Sequence, residues 1–460
     1  MGFFGPMDVW WSGGPFYSDA WLTMILQDLG LTMWRNEYYS EEGSQDANWA
    51  KQRPMIEALQ AKANNLGVPL KMIYSVWSPP SRWKSNGSLK NGGTLQTQYY
   101  DEYGTWLADG VQNYANSGIQ LYALSPQNEP AFEEYYNSCV FTAEQYRDMV
   151  KIAGPIVHAR YPNVKIFGAE DMLSRWTTLG AFPGPLMADL ASRAQMGALA
   201  VHGYSDGVHP TPASQTATMW NAVARNCKSV GKPAWMTETS GHSADWAGAF
   251  EMSECIYAAL KFGKIGAWVY WYGAGDLVTS SSLNKKGYAS KQFFRYIRPG
   301  AEMVQVSDVS ASNLFVIAFK HAAERTFTVV VLNSSASAVQ LDLASRTGSG
   351  LPTQYTLYRT TSSINCASQG TTGNSLSIPA SSINTLVATN WDPPAVSVER
   401  PAAAARPAAV RSAATHTYDL CGRLVAGSSM SSAALTPGAY CRAAGQAQNA
   451  QSTMEVFTGK

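Results

Sequence analysis

The feature that most constrains this chain is a rhythm. Over the first 300 residues eight short apolar runs each precede a polar loop and, usually, a longer segment with helical spacing. The runs are "FFGPMDV" (3–9), "LTMWRN" (31–36), "LKMIYSVW" (70–77), "IQLYALS" (119–125), "VKIFGAE" (164–170), "ALAVHGY" (198–204), "PAWMTE" (233–238) and "IGAWVYWY" (265–272). Between them, segments such as "ANWAKQRPMIEALQAKANNLG" and "TAEQYRDMVKIAGPIVHARYP" repeat apolar residues three and four apart and stop at Gly or Pro. Strands separated by helices pair in parallel, and eight such units predict a closed (β/α)8 TIM barrel over residues 1–300. The alternative, an open doubly wound sheet, lacks a GxGxxG after an early strand.

After "FRYIRPGA" (294–301) the pattern changes to short strands set between Ser, Gly and Thr, among them "NLFVIAFKH", "TFTVVVLNSS" and "QYTLYRTT". These predict an appended antiparallel β-sandwich side domain over 301–391. Residues 392–416 are rich in Pro and Ala and read as a linker with no means of burying a core. Residues 417–460 contain "TYDLCGRLVAGSSMSSAALTPGAYCRAAG", which reads as two hairpin-like strands around a Gly/Ser loop, and form a small C-terminal β module in this reading.

Composition narrows the partner. Lys and Arg total 34 against 33 acids, so the chain has no charge footprint for nucleic acid or an anionic membrane. No apolar run approaches the roughly 18 residues a membrane span needs. The 15 Trp and 23 Tyr supply flat faces with a polar edge, against which sugar rings pack. Six Cys without CxxC spacing argue against a metal centre; a Cys421–Cys441 bridge fits an exported chain. No cofactor is expected, and no leader is read ahead of Met1-Gly2.

In a barrel of this type chemistry sits at the C-terminal strand ends. The acids there are Glu37, Glu129, Glu170, Asp171 and Glu238, with His202 and His242 nearby. No HExxH or nucleophile elbow occurs, and two His without a carboxylate cluster make a poor metal site. Two carboxylates in an aromatic cleft suit glycosidic cleavage, one donating a proton and one attacking. Strand ends alone do not select the pair; each acid could instead cap a helix or pair with Arg35.

At this point the residues carry a resemblance. "QNEP" (127–130) and "WMTE" (235–238) are similar to the paired signatures of clan A retaining glycosidases. "GFFG", "VWSPPSRWKSNGSLKNGGTL", "ALSPQNEP", "PAWMTETS" and "FRYIRPGA" resemble, in order, blocks of glycoside hydrolase family 30 across residues 1–391. The resemblance implies Glu129 as acid/base and Glu238 as nucleophile, with Asn128 on a sugar 2-hydroxyl. Glu129 then needs a raised pKa, which Pro130, Phe132 and Tyr135 could supply by desolvation. Glu238 needs an ionised form, which a cation such as Arg35 would favour. Trp77, Trp83, Tyr204 and Trp271 are candidate cleft walls and His202 a hydrogen-bonding wall residue; Trp10 and Trp11 serve equally well as packing.

The Trp-rich "WSPPSRWKSNG" segment is most similar to the family's bacterial xylanase branch, where an arginine after strand eight often holds a glucuronate branch. Here Tyr272 to Asn284 contains no Arg or Lys, and Asp276 would repel a uronate. The expectation is an endo-β-1,4-xylanase not dependent on glucuronate, acting as a monomer on polysaccharide. The alternatives are a β-1,6-glucanase and, from another class, a non-catalytic glycan-binding protein. The tail resembles secretion-sorting modules of surface enzymes, so a secreted or cell-surface location is expected. The strand that the family adds to its β-domain ahead of the barrel is not read before Met1.

Overall fold

The computed structural model describes residues 1–4, 18–40, 49–177, 182–204, 215–307, 313–345, 350–392, 417–418, 424–426 and 453–458. Each of the eight apolar runs overlaps a strand: β1 (Gly2–Phe4), β2 (Met33–Glu37), β3 (Lys71–Ser75), β4 (Ala123–Ser125), β5 (Lys165–Met172), β6 (Met196–His202), β7 (Ala234–Glu238) and β8 (Ala267–Tyr270). They pair in parallel in sequence order, and β1 pairs with both β2 and β8, so the barrel closes.

The main outer helices are α1 (Trp49–Leu66), α2 (Tyr100–Asn116), α3 (Ala143–Arg160), α4 (Gln215–Ser229), α5 (Trp246–Lys261) and α6 (Lys285–Phe294). Their buried faces follow the predicted spacing: Met55, Ile56, Leu59 and Ala63 on α1; Tyr146, Met149, Val150, Ala153 and Val157 on α3. Thr142 and Gln145 close a reciprocal cap at the start of α3, satisfying two amides that the first turn leaves without partners. Asp245 does the same singly for α5, accepting from the Gly248 amide at 3.0 Å.

Inside the barrel, Met33, Ile73, Ala123, Phe167, Ala198, Ala200, Trp235, Ala267 and Val269 form a separate apolar plug. It fills the space that would otherwise be a pore, and it forms the floor under the strand ends.

The side domain contains β9 (Glu302–Val306), β10 (Leu314–His321), β11 (Thr326–Asn333), β12 (Val339–Ser345), β13 (Tyr355–Thr360), β14 (Ala367–Thr372), β15 (Ser375–Ile378) and β16 (Ser382–Ala388). The sequence suggests partial alternation, yet β10 is buried on both faces. Val316 and Ala318 point into the sandwich core, whereas Phe315, Ile317 and Phe319 join the barrel's outer core. The long apolar run "LFVIAF" is thus explained by a sheet with a core on each side.

β17 (Thr417–Tyr418) and β18 (Leu424–Ala426) form an antiparallel pair that lies wholly ahead of the Gly/Ser loop, so it is not the hairpin the sequence reading places around that loop. β19 (Thr453–Thr458), left in the tail by the sequence, lies elsewhere: it pairs in parallel with β9 and antiparallel with β12. A strand edge offers unpaired amides and carbonyls that seek a partner, and the last strand supplies one to both neighbours. Residues Met1–Pro393 with Thr453–Lys460 make one compact unit and Pro394–Ser452 another. Residues 393–416 of the linker, Cys421, Cys441, Trp10 and Trp11 lie outside the described residues.

Candidate functional site

Two residues beyond the apolar plug, the same strands become polar. Arg35 follows Met33 on β2, Ser75 follows Ile73 on β3, Ser125 follows Ala123 on β4, and His202 follows Ala200 on β6. A period of two keeps all four facing inward. On β5 and β7 the step from the plug is three residues, Phe167 to Glu170 and Trp235 to Glu238. There the pairing slips: Ala169 to Asp171 opposite β6, and Val201 to His202 opposite β7. Each slip inserts one residue and turns a carboxylate into the barrel that would otherwise face out. Glu170 is itself the inserted residue, with a left-handed backbone (φ +54°).

The side chains so aimed form one buried network. The Arg35 guanidinium donates to Ser75 Oγ at 3.0 Å, Glu238 Oε2 at 2.6 Å, Asn128 Oδ1 at 2.7 Å and Glu170 Oε1 at 3.0 Å. His202 Nδ1 lies 2.7 Å from Glu129 Oε1 and its Nε2 3.3 Å from Glu170 Oε1. The Tyr204 hydroxyl donates to Glu238 Oε1. One carboxylate oxygen each of Glu129 and Glu238 lies within 4.8 Å of the other.

The electrostatics follow from burial and from which cations face which acids. Burial raises the Glu129 pKa, and the Glu238 charge raises it further; the hydrogen bond from His202 opposes this. Glu170 is buried too, but Arg35 and His202 outweigh that and hold it down at about 2. Burial disfavours a charged His202; its carboxylate neighbours reverse this and lift it to about 10, so both ring nitrogens donate near neutral pH.

Several expectations for single residues change. His202 is wholly buried and bridges two carboxylates, so it is not a wall residue. The sequence shows no carboxylate cluster at the histidines, yet the fold gathers Glu129, Glu170 and Glu238 around this one. Glu129, His202 and Glu238 have the spacing of three metal ligands. However, His202 is held as a cation and Arg35 occupies Glu238, so the donor set favours ion pairs over a metal. Trp83 does not wall the cleft: its indole is buried, stacks with Tyr99, and meets Tyr103 and Trp106 edge-on. Tyr135 cannot desolvate Glu129, because it is 81% exposed.

Trp77 and Trp271 do meet at the mouth, ring centres 6.0 Å apart, with the Arg35 guanidinium 4.9 Å from the Trp77 centroid. Trp77, Asn128, Glu129, Phe132, Glu134, Tyr136, Asn137 and Ser138 line one cleft. Asp276 is not the bare anion its loop suggests: Lys286, just past the loop, pairs with it at 3.2 Å, and the Tyr270 hydroxyl donates to it at 3.1 Å. Pairing with Arg35, open to every strand-end acid in the sequence, is taken up by Glu170 and Glu238; the second partner of Glu170, His202, has no signal in the sequence.

The glycosyl hydrolase family 30 TIM-barrel domain matches residues 40–276, more than half of the chain. Glucuronoxylanase XynC of Bacillus subtilis (strain 168) is 27% identical over 315 residues, covering 66% of this chain and 68% of its own. A solved family 30 subfamily 8 xylanase, Xyn30A of Clostridium acetobutylicum, superposes with a TM-score of 0.67 at 23% identity, over 81% of this chain and 92% of that one. A solved endo-β1,6-glucanase superposes with a TM-score of 0.62 at 17% identity, over 82% and 88%.

Proposed function

The chain belongs to glycosyl hydrolase family 30, and from that premise we propose that it hydrolyses a β-linked plant cell-wall polysaccharide with retention of configuration, as an endo-β-1,4-xylanase independent of glucuronate branches. The observation that carries the retaining reading is the approach of Glu129 and Glu238 to within 4.8 Å. Retaining enzymes set their carboxyl groups at about 5–5.5 Å, too close for a water between nucleophile and sugar.

In this reading Glu129, whose hold on a proton is strengthened by burial and by the charge of Glu238, donates to the leaving oxygen while Glu238 attacks the anomeric carbon. Forming the ester removes the Glu238 charge that helps to hold the proton on Glu129. Its pKa then falls, and the same group becomes the base that deprotonates the incoming water. Arg35 and Tyr204 position Glu238, Arg35 orients Asn128 toward the 2-hydroxyl, and Trp77 and Trp271 give the sugar an apolar face.

Independence from glucuronate rests on the loop 272–284, which contains no Arg or Lys, and on Lys286 being occupied by Asp276. That pair also weakens the repulsion a uronate would meet, so glucuronoxylan is accepted without being required. A β-1,6-glucanase is the second reading, favoured by the same missing arginine. The Pro/Ala linker and C-terminal module support an exported enzyme. Product analysis on xylan, glucuronoxylan and β-1,6-glucan tests the substrate: comparable rates on the two xylans are expected, and strict dependence on the uronate, or activity on the glucan alone, contradicts it. Glycan binding without hydrolysis on all three would make the protein a binding module.

A further inference from the structure

Glu37 is a further acid at the strand ends, beyond Glu129, Glu170 and Glu238, and the catalytic pair does not use it. It stands two residues beyond Arg35 on β2, on the same inward face and nearer the opening, and is 5% exposed. Its strand end is held from both sides: Gln52 of α1 donates to its carbonyl at 3.0 Å, and the Tyr38 amide donates to the Ser75 carbonyl of β3 at 2.9 Å. Its carboxyl faces the side chains of Tyr39 and Asn137. Asn137 lines the cleft with Trp77, Asn128 and Glu129. Its loop is itself anchored by Lys84, whose ammonium donates to the Ser138 carbonyl at 2.5 Å.

Among the described ion pairs Glu37 takes part in none, because Arg35 directs its donors to Ser75, Asn128, Glu170 and Glu238. The charged groups acting on it are Arg35 on its own strand and Glu238 across the barrel; Gln52, Ser75 and Asn137 are neutral. Burial pushes its carboxyl up to about 8, so near neutral pH it is a carboxylic acid that both donates and accepts.

We propose that Glu37 is a substrate-binding, specificity-determining residue that grips a ring hydroxyl of the neutral sugar unit seated between Glu129 and Glu238. The assignment rests on the glycosidase reading of that pair. A neutral acid can meet a hydroxyl in either sense. Once ionised, it loses its donor and sets a second anion near Glu238, so sugar binding weakens. The competing role is a clamp that merely joins β2 to the loop after β4.

The test is steady-state kinetics of the full chain from pH 5.5 to 9.5, on whichever of xylan, glucuronoxylan and β-1,6-glucan it hydrolyses fastest. Glu37→Ala is expected to raise KM about tenfold with kcat held within about threefold, and Glu37→Gln, which keeps donor and acceptor, to recover most of that loss. Wild-type KM should climb above about pH 8, and Glu37→Gln should remove the climb. If both variants move KM less than about twofold and only the thermal midpoint shifts, Glu37 is a clamp and the proposal falls. If Glu37→Ala does not fold, the KM–pH profile of Glu37→Gln decides alone. Glu129→Gln and Glu238→Gln, run in parallel, separate the two readings: hydrolysis within about tenfold of the wild-type rate in either overturns the glycosidase site itself. Hydrolysis lost in both, with KM unmoved in the Glu37 variants, overturns only the role of Glu37.

Discussion

The barrel's apolar plug and the polar ring above it lie on the same strands, two or three residues apart, and both are buried. The plug of Met33, Ile73, Phe167, Trp235 and their neighbours is stabilised by removing apolar surface from water. The ring of Arg35, Glu170, His202 and Glu238 is stabilised only because each charge meets its opposite. Truncation in the plug leaves a cavity, whereas truncation in the ring leaves an unpaired charge. That difference separates folding from function in this molecule, and each prediction probes it.

The largest effect is expected at the proposed reacting pair. Glu238→Ala should lower kcat by at least roughly 10⁴-fold, and Glu129→Gln by about 10²–10⁴-fold, measured as initial rates with circular dichroism to confirm folding. Arg35→Met comes next. It strands Glu170 and Glu238 without their shared cation, a loss of about 3–5 kcal/mol of stability in urea unfolding together with loss of activity.

Phe167→Ala, in the plug, should cost about 3–5 kcal/mol as well, yet leave the shape of the pH–rate profile intact. If it instead reshapes that profile, plug and ring are not separable.

The smallest effect is the pH dependence of stability. Glu170 is held below its unfolded pKa, so its contribution is present above about pH 4.5 and is lost as pH falls toward about 2. His202 is held above its unfolded value, so its contribution is complete below about pH 6.5 and is lost as pH rises through about 10. Unfolding free energies across pH should show both limbs, and Glu170→Gln should flatten the acid one.

Much of this was legible in the residues. Eight runs gave eight strands, and the strand-end rule placed Glu129, Glu170, His202 and Glu238 on the ring. What the sequence could not show was the slip in pairing at β5 and β7, because a bulge depends on the neighbouring strand and leaves no mark in a run such as "VKIFGAE". Without the slip, nothing marks Glu170 as the anion shared by Arg35 and His202. The same limit applies to distant partners. Asp276 looks bare until Lys286 folds back onto it, Trp83 looks available until Tyr99 and Trp106 cover it, and β19 looks like tail until β9 and β12 take it up.

The central claim is that Glu238 attacks the sugar while Glu129 manages the proton. Its most direct test is to trap the intermediate with an activated 2-fluoro glycoside of the preferred sugar and to locate the label by peptide mass spectrometry. One glycosyl group per chain, on the peptide carrying Glu238 and missing from Glu238→Gln, is the predicted result. A label on any other carboxylate, or turnover to the inverted anomer with no label, would contradict it.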